Sequence, residues 1–196
     1  MIIGISGTPS TGKSTVARLL AEKLKALYIN LSDLVVRKKL YVEYDEARQS
    51  YVIDESRVRD YLANISRGDL VIVDSHYAEI APKELVKKVF VLRLHPLILM
   101  ERLIKRGWPL RKVAENVEAE LLGVCTRNAV DELGPELVVE IDVTNKRPED
   151  VVEEILKLLK NGKRPQENWI DWTILLTDEE LEKVLEFIEL GYSSSD

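Results

Sequence analysis

Cysteine and histidine are scarce in this sequence, which holds one cysteine, Cys125, and two histidines among 196 residues. One cysteine cannot form an intrachain disulfide, and these three residues are too few for a structural zinc site. Long apolar runs are also missing, since none approaches the roughly 20 residues that cross a bilayer, and residues 1–6 are too short and uncharged for a signal peptide. We therefore expect a soluble cytoplasmic protein with no membrane partner.

Excess charge is confined to the end of the chain. The sequence has 28 basic and 34 acidic residues, a net charge of −6. Residues 177–196 contain seven of these acids and one lysine, so this segment carries the whole excess and residues 1–176 are neutral. A neutral body with an acidic tail predicts no strong direct binding to nucleic acid and is compatible with a basic protein partner. The alternative is that the tail is simply a solvated helix face.

Short apolar runs alternate with amphipathic segments along the chain. The apolar runs predict strands at residues 2–6, 27–30, 70–74, 89–94 and 137–143. Helical periodicity begins near Val16 and predicts further helices at residues 55–65, 96–105, 112–133 and 148–160. Strands that are apolar throughout and alternate with helices are typical of a parallel sheet covered on both faces. The predicted fold class is therefore α/β, with one sizeable core.

Two segments interrupt this alternation. Residues 31–53 have a helix-like pattern but are rich in charge and tyrosine, and residues 105–115 form a basic turn. We interpret both as insertions over an edge of the sheet. Beyond residue 160 a glycine and a proline predict a linker. Thr177 followed by Glu180 is a capping-box pattern and predicts the start of a last helix.

The loop after the first predicted strand carries the strongest chemical signal. It reads Gly-Thr-Pro-Ser-Thr-Gly-Lys-Ser and matches the phosphate-binding pattern Gly-x-x-x-x-Gly-Lys-[Ser/Thr] between a strand and a helix. Backbone N–H groups of such a loop surround the β-phosphate, aided by the positive end of the following helix. We expect Lys13 to reach the β- and γ-phosphates, Ser14 to ligate Mg²⁺ and Thr15 to hold the α-phosphate. Ser10 and Gly12 complete the predicted nucleotide-binding set.

Two further observations concern the nucleotide and its metal. Guanine-specific P-loop proteins carry Asn-Lys-x-Asp, and the nearest segment here, at residues 145–148, has Pro148 where the aspartate should stand. Asp74 ends the strand predicted at residues 70–74, where its carboxylate would face the loop and hold Mg²⁺ through water. The alternative for Asp74 is a cap of the next turn. ATP and Mg²⁺ are therefore the expected cofactors.

Several short segments, taken in their order along the chain, resemble a known family. They are Gly7-Thr8-Pro9, Tyr28-Ile29-Asn30 with Asp33-Leu34, Tyr44-Asp45-Glu46, Asp54-Glu55 with Arg57-Val58, Val71-Ile72-Val73-Asp74 with His76, Arg106-Gly107, and Glu115-Asn116-Val117 with Glu120. The chain resembles adenylate kinase isoenzyme 6, the ribosome-assembly adenylate kinase of archaea and eukaryotes. The resemblance runs from Met1 to about Trp172, and the segment beyond has no counterpart in it.

The resemblance implies a fold and a set of activities. The fold is the three-layer sandwich of P-loop nucleoside monophosphate kinases, with a monophosphate-binding region at residues 30–53 and a short lid at residues 105–115. It implies a kinase domain at residues 1–160, followed by a linker and acidic tail at residues 161–196. Members of the family transfer phosphate from ATP to AMP and hydrolyse ATP. They also bind a small-subunit ribosomal protein during late ribosome maturation.

The resemblance also implies roles for single residues. His76, in Asp74-Ser75-His76, and Arg106, which matches an ATP contact of the family, join Lys13 and Asp74 as the implied catalytic residues. Ser10 stands where the family usually has glycine. Either the loop is tighter here, or Ser10 adopts a backbone angle that is uncommon for residues other than glycine.

Two features bear on the acceptor and the lid. The family's usual arginine in the monophosphate region is replaced by Val36, with Arg37 one residue later, a shift of about 100° around a helix. Five cations cluster near the lid, where they would neutralise the transferring phosphoryl group or form a solvated basic face: Arg102, Lys105, Arg106, Arg111 and Lys112. A kinase for another small acceptor, without a ribosomal role, is the remaining alternative.

Overall fold

The computed structural model describes residues 1–46, 50–160 and 167–194. Its strands are β1 (Ile2–Ser6), β2 (Leu27–Asn30), β3 (Tyr41–Asp45), β4 (Ser50–Ile53), β5 (Val71–Asp74), β6 (Val86–Arg93) and β7 (Val138–Asp142). Its α-helices are α1 (Lys13–Leu24), α2 (Leu31–Lys38), α3 (Glu55–Ile65), α4 (Pro96–Lys105), α5 (Leu110–Leu121), α6 (Val124–Leu133), α7 (Pro148–Lys160), α8 (Trp172–Leu175) and α9 (Asp178–Ser193). None of the helices in these described ranges is long and apolar enough to span a membrane.

Five parallel strands form the central sheet in the order β2-β5-β1-β6-β7. Alternate residues of each strand enter two separate hydrophobic clusters, one on each face of the sheet. Helices α1, α4, α5, α7 and α9 cover one face, and α2, α3 and α6 cover the other. The predicted α/β sandwich with a parallel sheet is therefore confirmed, because strands buried on both faces need apolar residues throughout.

The prediction of one long helix at residues 112–133 is wrong, since two helices, α5 and α6, occupy this segment. Gly123 separates them with a φ of 64°, a left-handed conformation that favours glycine. A Cβ at Gly123 would also lie 3.3 Å from Nη1 of Arg93. The break therefore lets a buried arginine approach the backbone, which helical periodicity alone does not reveal.

The helix-like interpretation of residues 31–53 is correct only for its first part. Helix α2 ends at Lys38, and Lys39 follows with a φ of 54°. The rest forms the antiparallel hairpin β3–β4, in which Tyr51 packs against Tyr41 at 4.4 Å and against Tyr44 at 5.0 Å between ring centroids. Cross-strand contacts between aromatic rings stabilise strands and here override the local helical pattern.

The basic turn predicted at residues 105–115 is shorter than expected. Helix α4 runs to Lys105 and α5 begins at Leu110, so only residues 106–109 connect the two helices. Gly107 supplies the positive φ of 73° that this tight connection needs. The candidate lid is therefore a four-residue turn with one helical turn after it.

The last helix packs on the body of the protein. Its predicted capping box is present, because the Thr177 hydroxyl accepts from the Glu180 N–H at 3.3 Å and Glu180 Oε2 accepts from the Thr177 N–H at 3.0 Å. Val184 of α9 is buried, and Gly191 lies so close to α5 that a Cβ would stand 2.4 Å from Cβ of Ala114. The predicted linker at residues 161–166 lies outside the described residues.

Candidate active site

The phosphate loop lies at the carboxyl end of β1, between the ends of β5 and β6. Gly7 has a φ of 131°, and a Cβ there would stand 2.4 Å from the Leu92 carbonyl oxygen, so only glycine fits. Gly12 is the N-cap of α1, and no side chain caps the first turn. The first backbone N–H groups of α1 are therefore available to an anion.

Ser10 adopts the uncommon backbone angle that its departure from glycine predicted. Its φ is 70°, in the left-handed region. Its carbonyl oxygen accepts a hydrogen bond from Arg102 Nη1 at 3.1 Å. Its Oγ is buried and has no hydrogen-bond partner within the described residues. The loop therefore holds a non-glycine residue in a costly conformation, with an arginine of α4 bound to its backbone.

Lys13 lies across the phosphate loop. Its Nζ donates to the Thr8 carbonyl oxygen at 2.8 Å. Burial lowers the pKa of Lys13, whereas Cys125, Asp74 and Glu120 raise it. The ammonium group is thus half-buried between carboxylates, at the position from which it would meet phosphate oxygens.

Asp74 ends β5 beside Ile5, its parallel partner on β1. Its buried carboxylate accepts hydrogen bonds at Oδ2 from Tyr28 Oη at 2.9 Å and from Asn30 Nδ2 at 3.0 Å. Both bonds use Oδ2 and leave Oδ1 for the water shell of a metal. Ser14 is exposed in the first turn of α1. The carboxylate of Asp74 and the hydroxyl of Ser14 are oxygen ligands of the kind that Mg²⁺ prefers.

His76 follows Asp74 by two residues and stays within electrostatic reach of both Lys13 and Asp74. Burial lowers the pKa of His76 to about 4, the Lys13 charge adds to this effect, and Asp74 opposes it. Its ring lies 4.0 Å from the Tyr77 ring. The imidazole is therefore neutral at pH 7 and has a nitrogen that can accept a proton.

Of the five cations predicted near the lid, two approach the phosphate loop. Arg102 bonds the loop at Ser10, and Arg106 is exposed within electrostatic reach of Lys13. The other three have partners elsewhere, in a Lys105–Glu101 pair, an Arg111–Glu115 pair and a contact of Lys112 with the Trp108 ring. The structure thus brings Lys13, Asp74, His76 and Arg106 to one end of the sheet, and their catalytic roles stay predictions. The sequence predicts Arg102 as one of the cations near the lid but does not predict its contact with the phosphate loop.

A buried carboxylate anchors the phosphate loop from the side. Glu120 of α5 accepts at Oε2 from Thr8 Oγ1 at 2.7 Å. Its Oε1 accepts from Arg93 Nε at 2.7 Å, from Trp172 Nε1 at 3.0 Å and from the Leu94 N–H at 3.2 Å. The Glu120 side chain is 1% exposed. One carboxylate therefore joins the loop, the end of β6 and helix α8.

Arg93 extends this network to the last strand. It forms a second buried ion pair with Glu140 of β7 and donates to the Ile170 carbonyl oxygen at 3.1 Å. Thr126 also donates to Glu140. One signal for this network is visible in the sequence, because Arg93 and Glu140 are charged residues inside predicted apolar strands. Their partners depend on packing and were not predicted.

A cavity of about 580 Å³ is lined in part by Tyr77, whose ring contacts the His76 ring, and its volume is within the size range of small-molecule sites. Strand β4, helices α3 and α6, and the 3₁₀ turn Ala78–Ile80 line it. The cavity therefore lies between the predicted monophosphate-binding region and the body of the protein.

Comparison with known proteins identifies the family. Residues 3–123 match the family model described as AAA domain. A Pyrococcus furiosus protein named "Putative adenylate kinase" is 40% identical over 192 residues, which cover 97% of this chain and 99% of that protein. A Sulfurisphaera tokodaii protein of the same name is 43% identical over 156 residues, 80% of this chain and 81% of that protein. The first alignment extends past Trp172, so the last segment has a counterpart in that protein.

Solved structures agree in fold. The shikimate kinase of Bacteroides thetaiotaomicron aligns with a TM-score of 0.55 at 20% identity, over 82% of this chain and 98% of that one. The shikimate kinase of Aquifex aeolicus aligns with a TM-score of 0.50 at 20% identity, over 82% of this chain and 97% of that one. The chain is therefore an adenylate kinase-like P-loop kinase that belongs to the AAA domain family and to the family of the archaeal proteins named "Putative adenylate kinase".

Proposed function

We propose that the protein transfers the terminal phosphoryl group of ATP to a nucleoside monophosphate, with AMP as the first candidate, and that it slowly hydrolyses ATP when no acceptor is bound. One observation carries this proposal. Lys13 of the phosphate loop is within electrostatic reach of the strand-end Asp74 and of Cys125, and Cys125 is within reach of Glu79 in the cavity wall, so a triphosphate and a second small molecule can approach each other there.

The mechanism needs alignment and charge neutralisation more than covalent help. Lys13 and Arg106 supply positive charge on two sides of the transferred group. Ser14 and Asp74 would hold Mg²⁺, which when bound neutralises charge on the β- and γ-phosphate oxygens. Thr15, Ser10 and Gly12 would complete the contacts of the loop with ATP.

Hydrolysis of ATP is supported by two features of this site. The connection at residues 106–109 is short, and a short lid excludes water less completely than a long one. The second feature is His76, which is within electrostatic reach of Lys13 and Asp74 and, being neutral at pH 7, has a ring nitrogen that can accept a hydrogen bond from an attacking water. Both features favour some loss of ATP to water.

We further propose that the enzyme acts in the cytoplasm in late maturation of the small ribosomal subunit and processing of its RNA, through transient binding of a basic ribosomal protein. The resemblance to the ribosome-assembly kinase supports this role. A second support is the exposed acidic side of α9, where Glu179, Glu182, Glu186 and Glu189 face solvent. Such a surface attracts basic partners at long range.

A kinase for another small acceptor is the second candidate, because the solved structures with similar folds include shikimate kinases. The cavity does not favour an acidic acceptor. Among the described residues, the carboxylates of Glu55, Glu79, Asp131 and Glu132 line it together with one cation, Arg59. An anion placed entirely inside this cavity would be repelled.

Measuring ADP release from Mg·ATP alone, with AMP, with shikimate and with a purified basic ribosomal protein separates these proposals. We expect slow release with ATP alone and fast release with AMP. Lys13→Ala should abolish both. Failure of AMP to accelerate turnover would contradict the monophosphate kinase, and no release without acceptor would contradict the ATPase.

The lid arginine gives a sharper test of the mechanism. If Arg106 stabilises the charge of the transferring group, Arg106→Ala lowers kcat by about 10³. Arg111→Ala is the matched control, because Arg111 is also exposed near the lid but pairs with Glu115 at 3.4 Å. Turnover of Arg106→Ala within a few-fold of the control would remove Arg106 from the mechanism.

A further inference from the structure

The cavity contains a buried acid, one oxygen of which has no hydrogen-bond partner among the described residues. Glu79, in the 3₁₀ turn Ala78–Ile80, is 6% exposed and lines the cavity. That oxygen is Oε2 of Glu79. A buried polar atom is stabilised only when a hydrogen bond replaces its lost water. A ligand in the cavity can supply that bond.

The charges around the cavity define how a nucleotide would enter it. The wall is acidic, whereas Lys13, Arg102 and Arg106 lie at the phosphate loop. The phosphate of an acceptor nucleotide is therefore attracted to the loop and repelled by the cavity. Cys125 of α6 is within electrostatic reach of both Lys13 and Glu79, which places the two regions close together. A nucleotide would point its neutral base into the cavity.

The walls also suit a planar base. Tyr51 of β4 and Tyr77 are half-exposed aromatic residues of the cavity lining. An aromatic ring can stack on any nucleobase, because every base has a π-face, so stacking alone does not distinguish one base from another. Distinction requires a hydrogen-bonding group at the base edge, and Glu79 is the buried candidate.

We propose that Glu79 determines which base the acceptor site prefers, by forming a pair of hydrogen bonds with the edge of the base. A neutral carboxyl group has one donor and one acceptor, which match the ring nitrogen and neighbouring amino group of adenine. A carboxylate has two acceptors, which match the two donors on the edge of guanine. This inference rests on the proposed monophosphate kinase activity and names the residue that selects its substrate.

The protonation of Glu79 falls in the range where this choice matters. Burial and, more weakly, the nearby carboxylates of Glu132 and Glu55 together raise the pKa of Glu79 to about 7, against the opposing effect of a hydrogen bond to its own backbone. Within the part of the chain that the structure describes, the other charged or titratable residues lining the cavity are Arg59, Asp131 and Tyr77. Arg59 is 3.6 Å from both Glu55 and Glu132 and so pairs with the neighbours of Glu79. Below about pH 7 Glu79 is therefore neutral and complements adenine.

The test is the ratio of kcat/KM for AMP to kcat/KM for GMP, measured from pH 5.5 to pH 8.5. For the wild type we expect this ratio to fall by about tenfold or more as pH rises through 7, since a mismatched edge loses a buried hydrogen bond. Glu79→Gln keeps one donor and one acceptor at every pH, so its preference for AMP should persist without pH dependence. Glu79→Leu should lose most of the preference.

Asp131→Asn serves as the control for cavity charge, because Asp131 is an exposed acid of the same wall. Its AMP-to-GMP ratio should fall with pH as the wild-type ratio does. Far-ultraviolet circular dichroism confirms that each variant is folded. An unchanged ratio in Glu79→Leu, or equal pH profiles for wild type and Glu79→Gln, would overturn the role of Glu79. Absence of turnover with every monophosphate in the wild type would instead overturn the proposed function.

Discussion

Replacing Glu120 by alanine tests whether the buried network holds the phosphate loop and the C-terminal segment to the body. The change removes the carboxylate that binds Thr8, Arg93 and Trp172. These three donors and the Leu94 N–H then lose a common acceptor in a place where water does not reach, since the Glu120 side chain is 1% exposed.

The expected loss in the free energy of unfolding is about 3–5 kcal/mol, the range for breaking a buried ion pair by removing one partner. The unpaired donors of Thr8 and Trp172 would each add about 1–3 kcal/mol if the effects were independent. Arg93 keeps its pair with Glu140 and its bond to the Ile170 carbonyl, so we expect these contributions to overlap. The loss is large against the 5–15 kcal/mol total of a typical domain, of which it is roughly a third.

Urea denaturation at 25 °C, followed by tryptophan fluorescence and circular dichroism, measures this loss. Glu115→Ala is the matched control, because Glu115 lies on the same helix and pairs with Arg111, but its side chain is 49% exposed. Such an exposed pair contributes about 0–1 kcal/mol. At urea concentrations too low to unfold Glu120→Ala, we also expect this variant to have a higher KM for ATP than the wild type, since Thr8 belongs to the phosphate loop. A loss for Glu120→Ala below about 1 kcal/mol, similar to the control, would refute the anchoring role.

Three further predictions follow from titrating groups. Burial raises the pKa of Cys125 to about 12, so iodoacetamide at pH 8 should modify it only after unfolding in urea, and fast labelling of the folded protein would contradict its burial. Burial lowers the pKa of His76 to about 4, so its imidazole NMR signals should stay constant from pH 8 to pH 5, whereas a midpoint near 6.5 would show it solvated. The pKa of Glu79 is raised in the fold, from 4.5 to about 7, so its stabilising contribution is complete below about pH 4.5 and disappears as pH rises through 7. Over this interval the free energy of unfolding of the wild type should fall by about 3 kcal/mol more than that of Glu79→Gln. Parallel curves of this free energy against pH would contradict the shift in pKa.

The elements that were predicted correctly are those in which local pattern and tertiary burial agree. Strands β1 and β2 and helices α3, α4 and α7 have the predicted bounds, and β5, β6 and β7 differ by at most three residues. Their apolar residues recur with the period of the element, and both faces of the sheet are covered. The hairpin β3–β4 was missed because its stability comes from contacts between tyrosines on different strands.

The candidate active site likewise has features that the local sequence predicts and features that depend on tertiary contacts. The position of the phosphate loop follows from its spacing between strand and helix, and Ser10 shows the backbone angle expected of a loop that usually has glycine there. Glu79 gave no signal, because a single acid in a turn is ordinary until the surrounding chain buries it. Glu120 was part of the resemblance, but its bond to Thr8 joins residues 112 positions apart. No local pattern contains such a pair.

By itself the amino-acid sequence determined that this is an α/β protein with a phosphate loop after its first strand, because periodicity and loop spacing are properties of neighbouring residues. Only the tertiary structure decided that Glu120 joins the loop to Trp172, and that a buried Glu79, with one oxygen unpaired among the described residues, lines a cavity. Burial and hydrogen-bond partners depend on which distant segments meet. The protonation of a buried group depends on the same contacts, since the loss of water and the nearby charges set its pKa.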